Sequence, residues 1–398
     1  MLLNGFVYAL LAVSSIPAHG WPHMAQLKND LTKRLAQNDN NNDGDGPGEL
    51  IGDLKKGATT SVGRSIANIL TGKESAQSKP QLYIPAPYGT FLCKLDTCCV
   101  WWWVSQTLTK AFTGPTGRCN DLARSAIRLG FHDAGTWSKN LASKGQDFGG
   151  ADGSIFLSGV EKGRPENRGL EGMIDQAGAW AKQYGVGVAD MIQFAANHAV
   201  VTCPLGPRVR TFVGRKDSTK AAPDGLLPDV NDSADNLISL FQDKTISPHM
   251  LTALLGAHST SRQFFVDPSK AGQPQDSTPG VWDTAAFYNE TLLPQAPKGV
   301  FRFASDLKLS VHPKIHDEWI EFTAPNGVGQ KHWNEDYAAA YVRLSLLGVN
   351  NINGKHPFLL IAHRQLNTNS FAGLTECTKV LPWARPDFLG ALVSFIFG

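Results

Sequence analysis

Charge of one sign is missing from this sequence: 37 Lys and Arg stand against 35 Asp and Glu, charged residues are 18% of the total, and the formal net charge is +2. That balance leaves no electrostatic footprint for nucleic acid and no acidic tail. Strand signals are scarce and no internal repeat is evident, which turns the reading away from all-β and solenoid architectures and towards a mainly α chain. Apolar runs are short. The run from Phe6 to Ile16 falls well below the roughly 20 residues that span a bilayer. With small residues following at Ala18 and Gly20, residues 1–20 read as a secretory signal, although no Lys or Arg precedes the run.

Cysteine is sparse, but its six positions (Cys93, Cys98, Cys99, Cys119, Cys203, Cys377) suit an exported chain with three disulfides. The sequence alone leaves the connectivity open. Neighbouring Cys98 and Cys99 must point apart and tie different parts of the fold. Two Asn-X-Ser/Thr sequons, at Asn231 and Asn289, are compatible with glycosylation. At 398 residues the chain is long enough for two domains, or for two halves around a shared site.

Residues 21–87 include the tract NDNNNDGDGPGE, rich in Asn, Asp and Gly, and read as a disordered extension or propeptide. Helical patterning then appears over 99–113, where three consecutive Trp suit packing, and over 121–132, 170–184, 188–201, 247–258 and 331–347. The 188–201 segment is apolar on most faces, so it should be buried with His198 as a core histidine.

The stretch ARSAIRLGFHDAG, 123–135, places Arg128 and His132 four apart on one helical face. An always-charged guanidinium beside an imidazole that titrates near neutrality suits proton transfer with charge stabilisation. Asp133 points elsewhere and, with Gly150, Asp152 and Ser154 of a Gly-rich loop, forms one set of oxygen ligands fit for Ca²⁺. Asp276, Thr278, Asp283 and the carbonyl of Val281 form a second, which Ser259 would close. Taken singly, each set also reads as an Asp/Gly/Ser turn. His258, at the end of the apolar helix LTALLGAH, suits an axial haem ligand if a carboxylate such as Asp306 holds its other nitrogen. Taken alone it reads as another core histidine.

Together these segments resemble the secreted fungal haem peroxidases of the plant-peroxidase superfamily, the class II group that includes the ligninases, over about residues 93–382. RLGFHDAG is similar to the distal motif, GGADGS to the distal calcium loop and PEN at 165–167 to the loop whose Asn orients the distal His. LLGAHS is similar to the proximal-His motif and DSTPGVWD to the proximal calcium loop. The resemblance implies a peroxidase domain over 88–382, with a distal half of about 88–215, a proximal half of about 216–382, haem b between them and two Ca²⁺. A tail, 383–398, lies beyond it.

By the same resemblance His132 is the distal acid–base, Arg128 its electrostatic partner, Asn167 the acceptor for the other His132 nitrogen, His258 the iron ligand, Asp306 its support and Phe131 a cofactor contact. It also implies the disulfides Cys93–Cys99, Cys98–Cys377 and Cys119–Cys203; a fourth bridge usual in the ligninase group has no cysteines here. The implied partners are H₂O₂ and small phenolic or aromatic donors, with the protein acting as a secreted monomer.

Departures bear on the donor. Ligninases that oxidise bulky aromatics carry a surface Trp five residues before the proximal His, and here that position is Ala253. The three-carboxylate manganese site would need carboxylates where this chain has Asp121, Ser125 and Phe264, so one of three remains. Gln275 stands where the group usually has Phe below the haem. A non-catalytic calcium-binding or cell-wall protein on a decayed peroxidase scaffold is the competing reading; the presence of Arg128, His132, Asn167, His258 and Asp306 speaks against it. A metal-dependent hydrolase built on His132-Asp133 lacks a third ligand at suitable spacing.

Overall fold

The computed structural model describes residues 48–353 and 373–382; the signal, the extension up to residue 47 and the 383–398 tail lie outside the described residues. The chain is mainly α. Its principal helices are α1 (Ser61–Leu70), α2 (Thr97–Phe112), α3 (Asp121–Ala134), α4 (Glu171–Tyr184), α5 (Val188–Thr202), α6 (Ala234–Asp243), α7 (Pro248–Leu255), α8 (Ala304–Ser310), α9 (His316–Glu321) and α10 (Val328–Leu344). A single antiparallel pair, β1 (Phe212–Val213) and β2 (Thr375–Glu376), joins Phe212 to Glu376 and Val213 to Thr375 among the described residues.

Side-chain caps set several helix starts by satisfying free N–H groups of the first turn. Asn120 accepts from Ala123 N at 3.1 Å ahead of α3, and Ser247 accepts from Met250 N at 3.2 Å ahead of α7, where Pro248 takes the first helical position. The short helices α6, α8 and α9 were not legible from periodicity. Each spans ten residues or fewer.

The expected disorder over 21–87 fails from Gly48 onward. Ile51, Leu54, Ile66, Ile69 and Leu70 are buried in the main core. In SVGRSIANIL the apolar residues Val62, Ile66, Ile69 and Leu70 recur at helical spacing, a stripe hidden behind the Asn/Asp/Gly tract. Asp53 accepts from Ile352 N at 2.9 Å and Asn353 N at 2.8 Å, fixing this segment to the far end of the domain. Arg343, buried at the end of α10, donates to Glu49 O at 2.9 Å and Leu70 O at 3.3 Å.

Helix α5 is buried over its whole length, and His198 Nε2 lies 3.0 Å from Thr109 Oγ1 inside the core. Helix α10 touches both α5 and α7. Tyr341 Oη donates to Gln193 Oε1 at 3.0 Å, and Gln193 Nε2 donates to Gly130 O in α3 at 3.0 Å. A Cβ on Gly130 would overlap the Tyr341 hydroxyl and the Ala196 methyl. Earlier on the same helix, Trp333 Nε1 donates to Ala253 O at 2.8 Å, and a Cβ on Gly256 would overlap the Trp333 indole. The glycines of the two histidine motifs are therefore sites of close helix approach. Disulfides join Cys93 to Cys99, Cys98 to Cys377 and Cys119 to Cys203.

Replacing Arg343 with Leu should strand the buried Leu70 carbonyl, at about 1–3 kcal/mol when left unpaired, and release the part-buried Glu49 carbonyl to solvent. Calorimetry should show a clearly lowered melting temperature. An unchanged melting temperature would mean that residues 48–71 do not contribute to the domain's stability.

Candidate active site

Arg128 and His132 project from α3 towards one short 3₁₀ turn, Pro165–Asn167. Arg128 Nη2 donates to Glu166 O at 2.9 Å and Nη1 to Arg168 O at 3.1 Å, so the carbonyls on either side of Asn167 fix the guanidinium. Its Nε donates to His132 Nε2 at 3.2 Å. His132 Nδ1 lies 2.8 Å from Asn167 Oδ1, and Asn167 Nδ2 donates to Glu161 O at 2.8 Å. The last bond decides the tautomer. With the amide NH₂ committed to a carbonyl, Asn167 presents its oxygen to His132, so Nδ1 carries the proton and Nε2 keeps its lone pair.

His132 is reachable by solvent yet ringed by protein. Burial, then the positive charge of Arg128, pull its pKa down to about 3, against the opposing hydrogen bond to Asn167. At neutral pH it is therefore an unprotonated base. Phe131 stacks on Phe241 with ring centroids 5.9 Å apart and an 11° interplanar angle, which sets the wall beside His132.

His258 follows α7 in a 3₁₀ turn, Gly256–Thr260. Its Nδ1 lies 3.2 and 3.1 Å from the two oxygens of Asp306, a fully buried carboxylate on α8. The edges of Phe287 and Phe303 flank the imidazole, with centroids 5.9 and 5.4 Å away. With Nδ1 taken by a carboxylate, Nε2 is left as an electron-rich donor. That is the donor chemistry of an axial haem ligand, so the residues fit the group.

Both oxygen-ligand sets are assembled. Asp133 is buried, its Oδ2 accepting from Gly153 N at 3.2 Å, while its Oδ1 and Ser154 Oγ are buried with no protein partner. Asp152 accepts from Ser154 N at 3.0 Å, and the Gly150 carbonyl lies in the same loop, accepting from Asp152 N at 2.8 Å. Burial, then mutual repulsion with Asp152, push the Asp133 carboxyl well above the usual range; burial lifts Asp152 to about 6. The second set repeats the pattern. Asp276 Oδ2 and Ser259 Oγ are buried without a protein partner, Thr278 Oγ1 donates to Asp283 Oδ2 at 2.8 Å, and Val281 N donates to Thr278 O at 2.8 Å. Burial and then Asp283 raise Asp276 well above the carboxylate range. Clustered carboxylates with orphaned oxygens fit a cation that would neutralise them.

Glu161 was not singled out from sequence, although it stands only a few residues before PEN. Its carbonyl ends the His132–Asn167 chain, and its buried side chain adds negative charge near Asp133 and Asp152. Of the positions that bear on the donor, Ala253 is fully buried, so that point of α7 is covered rather than at the surface. Asp121 is drawn into ion pairs with Arg124 and, at 3.8 Å, Arg262. Phe264 is exposed beside Phe265, over whose ring Arg168 sits at 4.4 Å. Gln275 is buried, its Oε1 accepting from Ser261 and its Nε2 without a protein acceptor.

The peroxidase family profile matches residues 104–324, a span that contains Arg128, His132, Asn167, His258 and Asp306. The chain belongs to the peroxidase family. It is 32% identical over 306 residues to the peroxidase of Arthromyces ramosus, covering 72% of this chain and 76% of that protein. It is 34% identical to ligninase C of Trametes versicolor, covering 80% and 84%, and 32% identical to manganese peroxidase 3 of Phlebia radiata, covering 67% and 76%. The protein is a haem peroxidase, an H₂O₂-dependent oxidoreductase of the fungal class II type.

The depressed His132 pKa predicts the pH profile of this haem peroxidase. Below about pH 3 the imidazole binds a proton and is lost as a base, while from neutrality down to about pH 5 it stays free. The second-order rate with H₂O₂ should be flat over the upper range and fall as pH approaches 3. A fall centred near the ordinary histidine value would overturn the assignment.

Proposed function

We propose that the protein is a secreted, monomeric peroxidase in which His132, Arg128 and Asn167 act on H₂O₂, His258 would hold a haem, and small phenolic or aromatic donors supply electrons. Overall, peroxide takes two electrons and two protons to become two waters, and two donor molecules each give one electron. Haem b bound at His258 supplies the redox store that links these one-electron donations to the two-electron reduction. His132 Nε2 takes a proton from the peroxide oxygen that bears it and returns it to the departing oxygen. Arg128, still cationic and fixed by two carbonyls, steadies the negative charge that develops there. Asn167 keeps Nδ1 protonated, so the base is always the same nitrogen. Asp306 keeps the His258 ring oriented and electron-donating.

The observation that carries this reading is the chain His132 Nδ1–Asn167–Glu161 carbonyl, which leaves Nε2 as an unprotonated acceptor beside a guanidinium. Two Ca²⁺ ions are the natural occupants of the two oxygen clusters: one with Asp133, Gly150, Asp152 and Ser154, the other with Ser259, Asp276, Thr278, Val281 and Asp283. Export is supported by the apolar N-terminal run and three disulfides. Among the described residues no helix is long and apolar enough to cross a membrane.

His258→Ala should weaken or abolish haem absorption. His132→Ala should keep the haem spectrum yet slow the peroxide reaction by about 10²–10⁴, the usual worth of a positioned acid–base group. A rapid peroxide reaction in His132→Ala would defeat the assignment.

Because Asp133 directly follows His132 and Ser259 directly follows His258, chelation should loosen both histidines. Loss of haem or activity, reversed by added Ca²⁺, is the expected result, and metal analysis finding no calcium in active protein would contradict it.

For the donor, exposed Phe264 and Phe265 offer an apolar surface, and Asp121, already paired to arginines, is a poor lone ligand for Mn²⁺. Steady-state assays should show turnover of small phenols, with Mn²⁺ and bulky non-phenolic aromatics poor by comparison. Saturable Mn²⁺ oxidation at micromolar concentrations would refute this.

A further inference from the structure

A second group of metal-ligating side chains lies outside the peroxidase machinery. His249 stands in the first turn of α7, Glu318 and Glu321 on α9, and His332 and Asp336 one turn apart on α10. Donor atoms of His249, Glu318 and Asp336 all lie within 4.8 Å of one another, as do those of Glu318, Glu321 and His332. His249 Nδ1 is 3.2 Å from Glu318 Oε2 and its Nε2 is 3.5 Å from Asp336 Oδ2. His332 Nε2 is 2.9 Å from Asp336 Oδ2 and 3.6 Å from Glu318 Oε1, while its Nδ1 faces Glu321 Oε2 at 3.6 Å. All five side chains are half-buried, and the His332 ring meets the fully buried Phe322 with centroids 5.2 Å apart.

Proximity alone would make this an ion-pair cluster. The further observation is that Asp336 Oδ2, Glu318 Oε1 and His332 Nδ1 are buried with no hydrogen-bond partner, even though Asp336 Oδ2 approaches His332 Nε2 to 2.9 Å. His332 and Asp336 thus approach closely without the alignment a hydrogen bond needs. Even with both imidazoles protonated, three carboxylates leave one negative charge uncompensated, room for a cation to join them.

We propose that His249, Glu318, His332 and Asp336 bind a divalent transition-metal ion with the ligand preference of Zn²⁺. Imidazole nitrogens with carboxylate oxygens suit such an ion and not Ca²⁺, which takes oxygen ligands. Glu321 is the outer carboxylate that orients His332 through Nδ1. The ion fastens the start of α7, the helix that leads into His258, to α9 and α10.

The test uses the full-length holoenzyme in excess Ca²⁺, which keeps the calcium clusters filled, titrated with ZnCl₂ by calorimetry and analysed for metal after gel filtration. The wild-type protein should retain one equivalent of Zn²⁺ and melt at a higher temperature with it. His249→Gln and His332→Gln should each weaken Zn²⁺ binding at least about tenfold, no less than loss of an outer-shell partner costs, with the haem absorption unchanged. Should His332→Gln lose its haem band through misfolding, His249→Gln at the half-exposed helix start decides. No retained Zn²⁺ in the wild type, or undiminished affinity in the folded variants, overturns the proposal.

Discussion

Everything in this molecule depends on how closely α10 lies against α3 and α7. Tyr341 occupies the space a side chain at 130 would need, and Trp333 the space a side chain at 256 would need. Because cores are packed to crystal-like density, such contacts admit no slack. The two histidines sit two residues beyond these glycines, so one helix sets the placement of both, and their relative position follows from packing rather than from the loops between them.

On that frame the chemistry is divided between charge and hydrogen bonding. The Pro165–Asn167 turn and the Arg168 that follows it hold Arg128 through backbone carbonyls and His132 through a side-chain oxygen, so one short segment orients both side chains. Next to the histidines in sequence lie buried carboxylate clusters, where burial and then mutual repulsion lift Asp133 and Asp276 well above the usual range.

Much of this could be read in the residues because it is local. Arg128 and His132 share a helical face, and the long helices announce themselves by apolar period. Partners remote in sequence were harder to read: Asn167, 35 positions from His132, was legible only through resemblance to a family, and Asp306, 48 from His258, stood as one candidate carboxylate until that resemblance singled it out. Helix α1 went unread because a polar, Gly-rich tract precedes it, although its own spacing of Val62, Ile66, Ile69 and Leu70 was sufficient. The His249–His332 cluster gave no sequence signal at all, since its members come from three helices and only the fold brings them together. Glu161 escaped for another reason: its contribution is largely a backbone carbonyl, which no residue type advertises.

The Cys98–Cys377 disulfide has a consequence of its own. It spans 279 positions and encloses nearly all of the catalytic domain in one covalent ring. A protease that cuts this ring once, at any exposed bond between the two cysteines, opens a circle and does not release a fragment. Such a nicked molecule keeps its mass until a reductant is added, and both histidines stay tethered to the same molecule. Wherever proteases are abundant, the bridge turns a single backbone scission from a fatal event into a tolerable one.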